Sequence, residues 1–161
     1  MNLMPPGGQG LNNKETSMAK LMSQQRMQVT DRIFGGQKTI SCPGRRRTDS
    51  GRAGFPATYE DADPVELRLS LVMIGDIAFG AVNGEVFNLI GQRLKKESRF
   101  AQTMMVTLTN GMARSGYIPN DAAFGYYTFE VLSSRLKSGC AETGIVNGLL
   151  DLMDEAEKSH R

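Results

Sequence analysis

The stretch VELRLSLVMIGDIAFGAV, residues 65–82, decides the fold predicted for this chain. Every second side chain in its first half is apolar, and this period of two is typical of a strand with one buried face. The apolar positions are Val65, Leu67, Leu69, Leu71 and Met73. Gly75 and Asp76 then predict a turn, and IAFGAV, residues 77–82, predicts a second and more buried strand. Together they predict an antiparallel β-hairpin.

The segments before the hairpin are less regular. QKTISCPG, residues 37–44, has the β-branched content of a strand, and its Pro-Gly pair predicts that the strand stops there. Residues 45–64 then read as a long polar connection. Residues 1–30 are rich in Met, Gln and turn formers, which predicts a poorly ordered lead-in to a domain that spans residues 31–161.

The segments after the hairpin alternate between helix and strand. Residues 86–97 have helical spacing, and TMMVTLTNG, residues 103–111, predicts a third strand. Tyr117 and Ile118 stand before a proline, which predicts a short extended piece inside a loop. A closing helix is predicted from Ala141 onward, with apolar residues on one face: Ile145, Leu149 and Leu152. The predicted fold class is mixed α/β, with α+β character: an antiparallel hairpin and a further strand packed with two helices.

The composition is that of a globular protein. The chain has 161 residues, of which 40% are hydrophobic and 22% charged, and this length suits one domain with a core. No run approaches the ~20 apolar residues of a membrane-spanning helix. The first residues lack the apolar stretch of a secretory signal, so none is predicted, and localisation stays open.

Positive charge is densest in GRRRTDSGR, residues 44–52. Three consecutive arginines beside Gly, Ser and Thr could contact a phosphate or a lipid headgroup, but such a run is more often a solvated loop. The solvated loop is the preferred interpretation. Aromatic residues do not interleave with the arginines, as they would in a protein that binds single-stranded nucleic acid, so no nucleic-acid partner is predicted.

The cysteine and histidine content excludes several kinds of site. Cys42 and Cys140 are the only cysteines and neither has a CxxC partner, which excludes a zinc finger. They are two reduced core thiols or one long-range disulfide, and the reduced form is favoured. His160 is the only histidine and stands beside the C-terminus. The sequence shows no Ser/His/Asp set, no HExxH motif and no Gly-rich phosphate loop.

Two residues stand out as candidate ligands. Glu85 follows a buried strand and precedes a helical segment, where an acid gains about 0.3–1 kcal/mol from the helix dipole but is also well placed to bind a metal. Tyr117, in a Gly-Tyr-Ile-Pro segment, is an aromatic anchor or a ligand. Asn83 and Asn110 each precede a glycine and predict turns. The residues alone leave both alternatives open for Glu85 and Tyr117.

Much of the chain resembles a known family. Five ordered stretches between residues 42 and 153 are similar to the C-terminal part of the catalytic domain of the neutral/alkaline, non-lysosomal ceramidases. The stretches are CPGRRR, YEDADPVELRLSLVMIGDIAFGAVNGEVFNLIGQRLKKES, MVTLTNG, GYIPNDAAFG and FEVLSSRLKSGCAETGIVNGLLDLM. The resemblance implies a zinc-dependent hydrolase of sphingolipid metabolism, which cleaves the amide bond of N-acylsphingosines to give sphingosine and a fatty acid.

The resemblance also implies a metal site. Members of the family hold one zinc ion with two histidines, a glutamate and a tyrosine. The glutamate lies in a Gly-Glu-Phe-like motif, which here is Gly84-Glu85-Val86, and the tyrosine falls on Tyr117-Ile118. The resemblance therefore implies that Glu85 and Tyr117 are zinc ligands. The histidine ligands and the active-site serine of the family come from an earlier part of a longer domain, which this chain does not contain.

Two functions are therefore considered. The first is a fragment or truncated relative of a ceramidase-like amidohydrolase, inactive alone and completed by a partner chain. The second is a non-catalytic module that binds a lipid headgroup or a protein, with peripheral contact to a membrane. In both, uncovered sheet faces and edges would favour self-association. Intact relatives are usually secreted or attached to a membrane.

Overall fold

A four-stranded sheet is the centre of the fold in the computed structural model, which describes residues 33–159. Its strands lie in the order β1-β2-β3-β5, and a separate two-stranded sheet joins β4 and β6. The elements follow the chain as β1 (Ile33–Arg47), β2 (Tyr59–Ile74), β3 (Ile77–Val82), β4 (Glu85–Val86), α1 (Asn88–Glu97), β5 (Gln102–Val106), β6 (Tyr117–Ile118), a 3-10 helix (Asp121–Gly125), α2 (Phe129–Ser133) and α3 (Ala141–Ser159). The mixed α/β class predicted from the sequence is confirmed.

The predicted hairpin is present. β2 and β3 pair antiparallel up to Ile74 and Ile77, and the chain turns at Gly75, whose φ of 59° suits a residue without a side chain. The alternating apolar residues of β2 are all buried, as their spacing predicts. β1 pairs antiparallel with β2, whereas β5 pairs parallel with β3 after the chain crosses over through α1.

Helices α1 and α3 lie on one face of the four-stranded sheet. α3 packs on β1, β2 and β3, and α1 packs on α3 and β5. The closest approach is at Gly148, where a Cβ would lie 2.5 Å from Leu69 Cδ1, so the glycine lets α3 sit directly on β2. The predicted apolar face of α3 is confirmed, because Ile145, Leu149 and Leu152 are at most 2% exposed.

The opposite face of the sheet carries an exposed apolar patch beside polar residues of β1 and β2. Strand register places its side chains in rows across the sheet. In one row Phe79 lies between Val72 and Met104, and in another Ile74 lies between Ile33 and Ile77. We call this surface the open face. Its large apolar side chains are between 36 and 68% exposed: Ile33, Val72, Ile74, Ile77, Met104 and Val106. An apolar patch of this kind is typical of a surface that contacts another chain or segment.

The strand predicted to stop at Pro43-Gly44 continues to Arg47, so that prediction is wrong. The ladder between β1 and β2 shifts register between Cys42 and Gly44, and Pro43 has no partner in it. A proline at such a bulge removes no ladder hydrogen bond, because its missing N–H is not needed there. The predicted connection of residues 45–64 is reduced to residues 48–58.

The chain after the hairpin also differs in detail from the prediction. The helix predicted over residues 86–97 begins at Asn88, because Glu85 and Val86 pair with β6 instead. The third strand is confirmed, although it ends at Val106. The sequence did not predict α2 or the 3-10 helix.

The two cysteines form a disulfide, so the favoured reduced state is wrong. Cys42 in β1 and Cys140, one residue before α3, are bonded, with Cα atoms 5.7 Å apart and a sequence separation of 98. The bond follows from the packing of α3 beside β1, a long-range contact that no local pattern reveals. It joins the first described strand to the last helix.

The ends of the chain lie outside the part that the structure describes. The whole of the predicted lead-in, residues 1–30, and the predicted tail residue His160 lie outside the described residues. Between residues 33 and 159, none of the helices combines the length and the apolar character that crossing a bilayer requires.

Candidate functional site

The two ligands implied by the resemblance lie side by side. β4 and β6 run parallel, and the register pairs Glu85 with Tyr117 and Val86 with Ile118. Directly paired residues of neighbouring strands project to the same face of the sheet, so the two side chains share one face. A backbone hydrogen bond from Phe87 N to Ile118 O, 3.0 Å long, extends the pairing by one residue.

Asn83 fixes the chain just before Glu85. Its buried side chain accepts a hydrogen bond from Arg68 N at 2.8 Å, and its backbone N donates to Arg68 O at 3.2 Å. Its carbonyl oxygen accepts from Ala113 N at 2.6 Å. The predicted turn residue therefore connects β2 to the loop that leads to Tyr117.

Gly84 allows β4 and β6 to approach each other. A Cβ at this position would lie 2.4 Å from Ile118 Cδ1 and 3.3 Å from Ser115 Oγ. Ile118 is fully buried, so its side chain has little room to move. The Gly-Glu pair in the sequence thus reflects a packing requirement directly beside the candidate ligand.

Packing against α2 positions Tyr117. The edge of its ring faces Phe129, with ring centroids 6.1 Å apart and an interplanar angle of 76°. Gly116, at φ 63°, turns the chain into β6, and a Cβ there would lie 2.8 Å from Ser133 O. The aromatic-anchor interpretation of Tyr117 is therefore correct as far as the ring is concerned, and the hydroxyl is left for other contacts.

The reactive atoms of the pair are available to a ligand. Neither the Glu85 carboxylate nor the Tyr117 hydroxyl hydrogen-bonds to another residue in the described part of the chain. Glu85 is exposed and Tyr117 is half-buried. Carboxylate and phenolate oxygens are suitable zinc ligands, so the two residues fit part of a zinc site.

The pair does not make a complete zinc site. Protein zinc sites take three or four protein ligands. Between residues 33 and 159, no group of three or more His, Cys, Asp or Glu side chains is placed to hold a metal ion. A zinc site that included Glu85 and Tyr117 would need further ligands beyond those of residues 33–159.

The arginine run is not the solvated loop that was predicted. Arg45 to Arg47 lie in β1, and Arg45 is half-buried. Its guanidinium donates to Val131 O at 2.6 Å and to Ser134 O at 3.1 Å, and it lies 3.9 Å above the ring centroid of Tyr59. Burial lowers the pKa of Arg45 from its ordinary value, and the Tyr59 hydroxyl opposes this effect. Arg45 is a structural residue that attaches α2 to the sheet.

Sequence reasoning missed the residues that hold the candidate ligands. Asn83 was interpreted as a turn residue only, and Gly116 and Phe129 were not singled out. The one available signal was the Gly-Tyr-Ile-Pro segment, because a glycine before an extended residue often marks a close backbone approach.

Comparisons of the chain with protein-family models, with curated proteins and with solved structures gave no match.

Proposed function

We propose that this chain contributes Glu85 and Tyr117 to the zinc site of a ceramidase-like amidohydrolase. The enzyme cleaves the amide bond of an N-acylsphingosine and releases sphingosine and a fatty acid. One observation carries the proposal: the two residues that the resemblance names as ligands are direct partners in the β4–β6 register. They come from different segments of the chain, and the pairing of β4 with β6 brings them together.

The chemistry of the pair suits this role. Zinc held at this site would supply Lewis-acid chemistry to an amide carbonyl and, by lowering the pKa of a water molecule to about 7, a nucleophile at neutral pH. The carboxylate of Glu85 offsets part of the charge of the ion. The ring of Tyr117 is held by Phe129, so its hydroxyl is presented from a fixed position on the same face of the small sheet.

The rest of the site comes from other polypeptide, in a longer form of this protein or in a partner chain. Two oxygen ligands are too few for catalysis, and the sequence contains one histidine, His160. The open face supports this part of the proposal, because an apolar sheet face is normally covered by another layer. We therefore expect the 161-residue chain to hydrolyse no ceramide by itself.

Zinc titration tests the metal-binding half of the proposal. Wild-type protein would be titrated with zinc in competition with a chelator, beside Glu85→Gln and Tyr117→Phe. Glu155→Gln and Tyr126→Phe are matched controls, since both residues are exposed. We expect weak zinc binding that each site variant lowers and that neither control changes. Equal zinc affinity in all five proteins would refute the assignment of the ligands.

A turnover assay tests the other half. The 161-residue chain is expected to leave a fluorescent ceramide uncleaved in the presence of zinc. If the wild-type chain cleaves the ceramide and Glu85→Gln does not, the reaction is confirmed and the need for additional polypeptide is contradicted. Turnover that persists in Glu85→Gln would contradict the role of this carboxylate.

A further inference from the structure

Arginine side chains surround a cavity of about 830 Å³ at the end of the sheet where β1 and β2 extend beyond β3. Six arginines line it, against two acids, Asp63 and Glu66. We call it the arginine cavity. The arginines come from β1, from β2 and from two loops that are distant in sequence: Arg45, Arg46, Arg47, Arg68, Arg114 and Arg135.

The wall of the arginine cavity is a closed circuit of backbone hydrogen bonds. β1 pairs with β2 at one side, and the loop segments around Asn83, Ala113, Ser115 and Arg135 complete the circle back to β1. The connecting bonds run from Asn83 N to Arg68 O (3.2 Å), Ala113 N to Asn83 O (2.6 Å), Arg135 N to Ser115 O (2.8 Å) and Arg45 N to Arg135 O (2.8 Å). A hydrogen-bonded frame of this kind fixes the backbone positions from which the arginine side chains project, before any ligand binds.

Three of the six arginines are already engaged with other residues. Arg45 donates to backbone carbonyls, Arg46 forms an ion pair with Glu60, and Arg47 lies 2.7 Å from Asp49. These side chains form the structural part of the wall. The charges of Arg46 and Arg47 are paired with acids, and the guanidinium of Arg45 is turned to backbone carbonyls, so these three side chains are less available to a ligand.

The other three guanidinium groups have no acidic partner among residues 33–159. Arg68 donates to the carbonyl oxygen of Asn110, and the side chains of Arg114 and Arg135 have no hydrogen-bond partner in that range. Arg68, Arg114 and Arg135 are all exposed to solvent. Guanidinium groups without an acidic partner that line one cavity match a phosphate group, which accepts bidentate hydrogen bonds from arginine.

We propose that the arginine cavity binds a phosphate monoester carried on a larger organic group. Three arginines without an acidic partner, two of which make no side-chain hydrogen bond in the described part of the chain, suit a dianion better than a single carboxylate. The volume exceeds that of a phosphate ion, and Leu132 and Met112, which is 74% exposed, offer apolar contact to the rest of the ligand. The phosphate belongs to a small soluble molecule or to a lipid headgroup. The proposal does not depend on zinc, because the cavity lining includes neither Glu85 nor Tyr117.

Binding measurements on the whole chain test this proposal. Phenyl phosphate would be titrated by calorimetry, and vesicles of neutral lipid with and without phosphatidic acid would be tested by co-sedimentation. The site variant is Arg114→Ala with Arg135→Ala. The control is Lys95→Ala with Lys96→Ala, which removes two exposed charges from the last turn of α1, outside the cavity lining. Thermal unfolding of each variant verifies the fold.

The expected result is binding that weakens about a hundredfold in the double arginine variant, or about tenfold for each arginine removed, and changes less than about twofold in the lysine control. Phenyl phosphate binding with this pattern identifies a soluble ligand, and binding only to phosphatidic acid vesicles identifies a lipid headgroup. Either result supports the proposal. Absence of binding in both assays, or equal losses in the arginine and lysine variants, would overturn it.

Discussion

Gly84→Ala should destabilise the protein by steric conflict alone. The φ of Gly84 is not in the left-handed region, so an alanine meets no backbone strain there. Its Cβ would lie 2.4 Å from Ile118 Cδ1, inside a contact that is fully buried. Relief of the conflict requires β6 to move away from β4, which separates Tyr117 from Glu85.

The size of the effect follows from two opposing contributions. Overpacking of a buried contact costs about 1–3 kcal/mol, whereas replacing glycine by alanine in a compatible conformation stabilises by about 0.4–1 kcal/mol through the unfolded state. The expected net loss is roughly 1–2 kcal/mol of the free energy of unfolding. Ile118→Val removes the conflicting Cδ1 atom and should itself cost about 0.5–1.5 kcal/mol.

A double-mutant cycle measured by urea unfolding tests this reasoning. Because the valine makes room for the alanine methyl group, the double variant should be more stable than the sum of the two single losses predicts, by about 1 kcal/mol. Its zinc affinity should also return toward the wild-type value. Strict additivity of the two losses would show that the Cδ1 contact is not the cause and would refute the argument.

Three further results are expected. Replacing Cys42 and Cys140 by serine should lower the free energy of unfolding by about 2–5 kcal/mol in urea, because the bond closes a long loop; an unchanged midpoint would contradict this. Two backbone N–H groups hold the pKa of Asp49 well below its usual range, so the stability that this carboxylate adds is present above about pH 4 and is lost as the pH falls further. Asp49→Asn should remove that pH dependence from urea unfolding curves, and an identical dependence in both proteins would exclude the role. The double variant Val72→Thr with Met104→Gln should reduce the self-association measured by sedimentation velocity and change the free energy of unfolding by less than about 1 kcal/mol. Unchanged self-association would argue against the open face as the contact surface.

Local patterns predicted the elements that local physics determines. The alternation in β2 and the Gly75-Asp76 turn gave the central hairpin, and the apolar spacing after Ala141 gave α3. These predictions hold because the hydrophobic period and the composition of turns depend on residues that are close together in the sequence. The mixed α/β class followed from them.

Long-range contacts account for what the sequence did not predict. Pro43 indicated a strand end, but the bulge opposite β2 leaves it without a required ladder bond. Glu85 indicated a helix start, but pairing with Tyr117 holds it in β4. The disulfide between Cys42 and Cys140 depends on where α3 packs. In each case the deciding partner lies far away along the chain.

The disulfide also changes what a protease can do to this protein. With the bond closed, residues 42–140 form a covalent ring that contains Glu85 and Tyr117. The connection between β1 and β2 is largely exposed and includes Arg52, where trypsin can cut. A single cut there opens the ring without releasing either piece, so both pieces travel as one band until a reductant is added. Nicked protein therefore keeps β1, which lies before the cut, covalently joined to the piece that carries both candidate ligands.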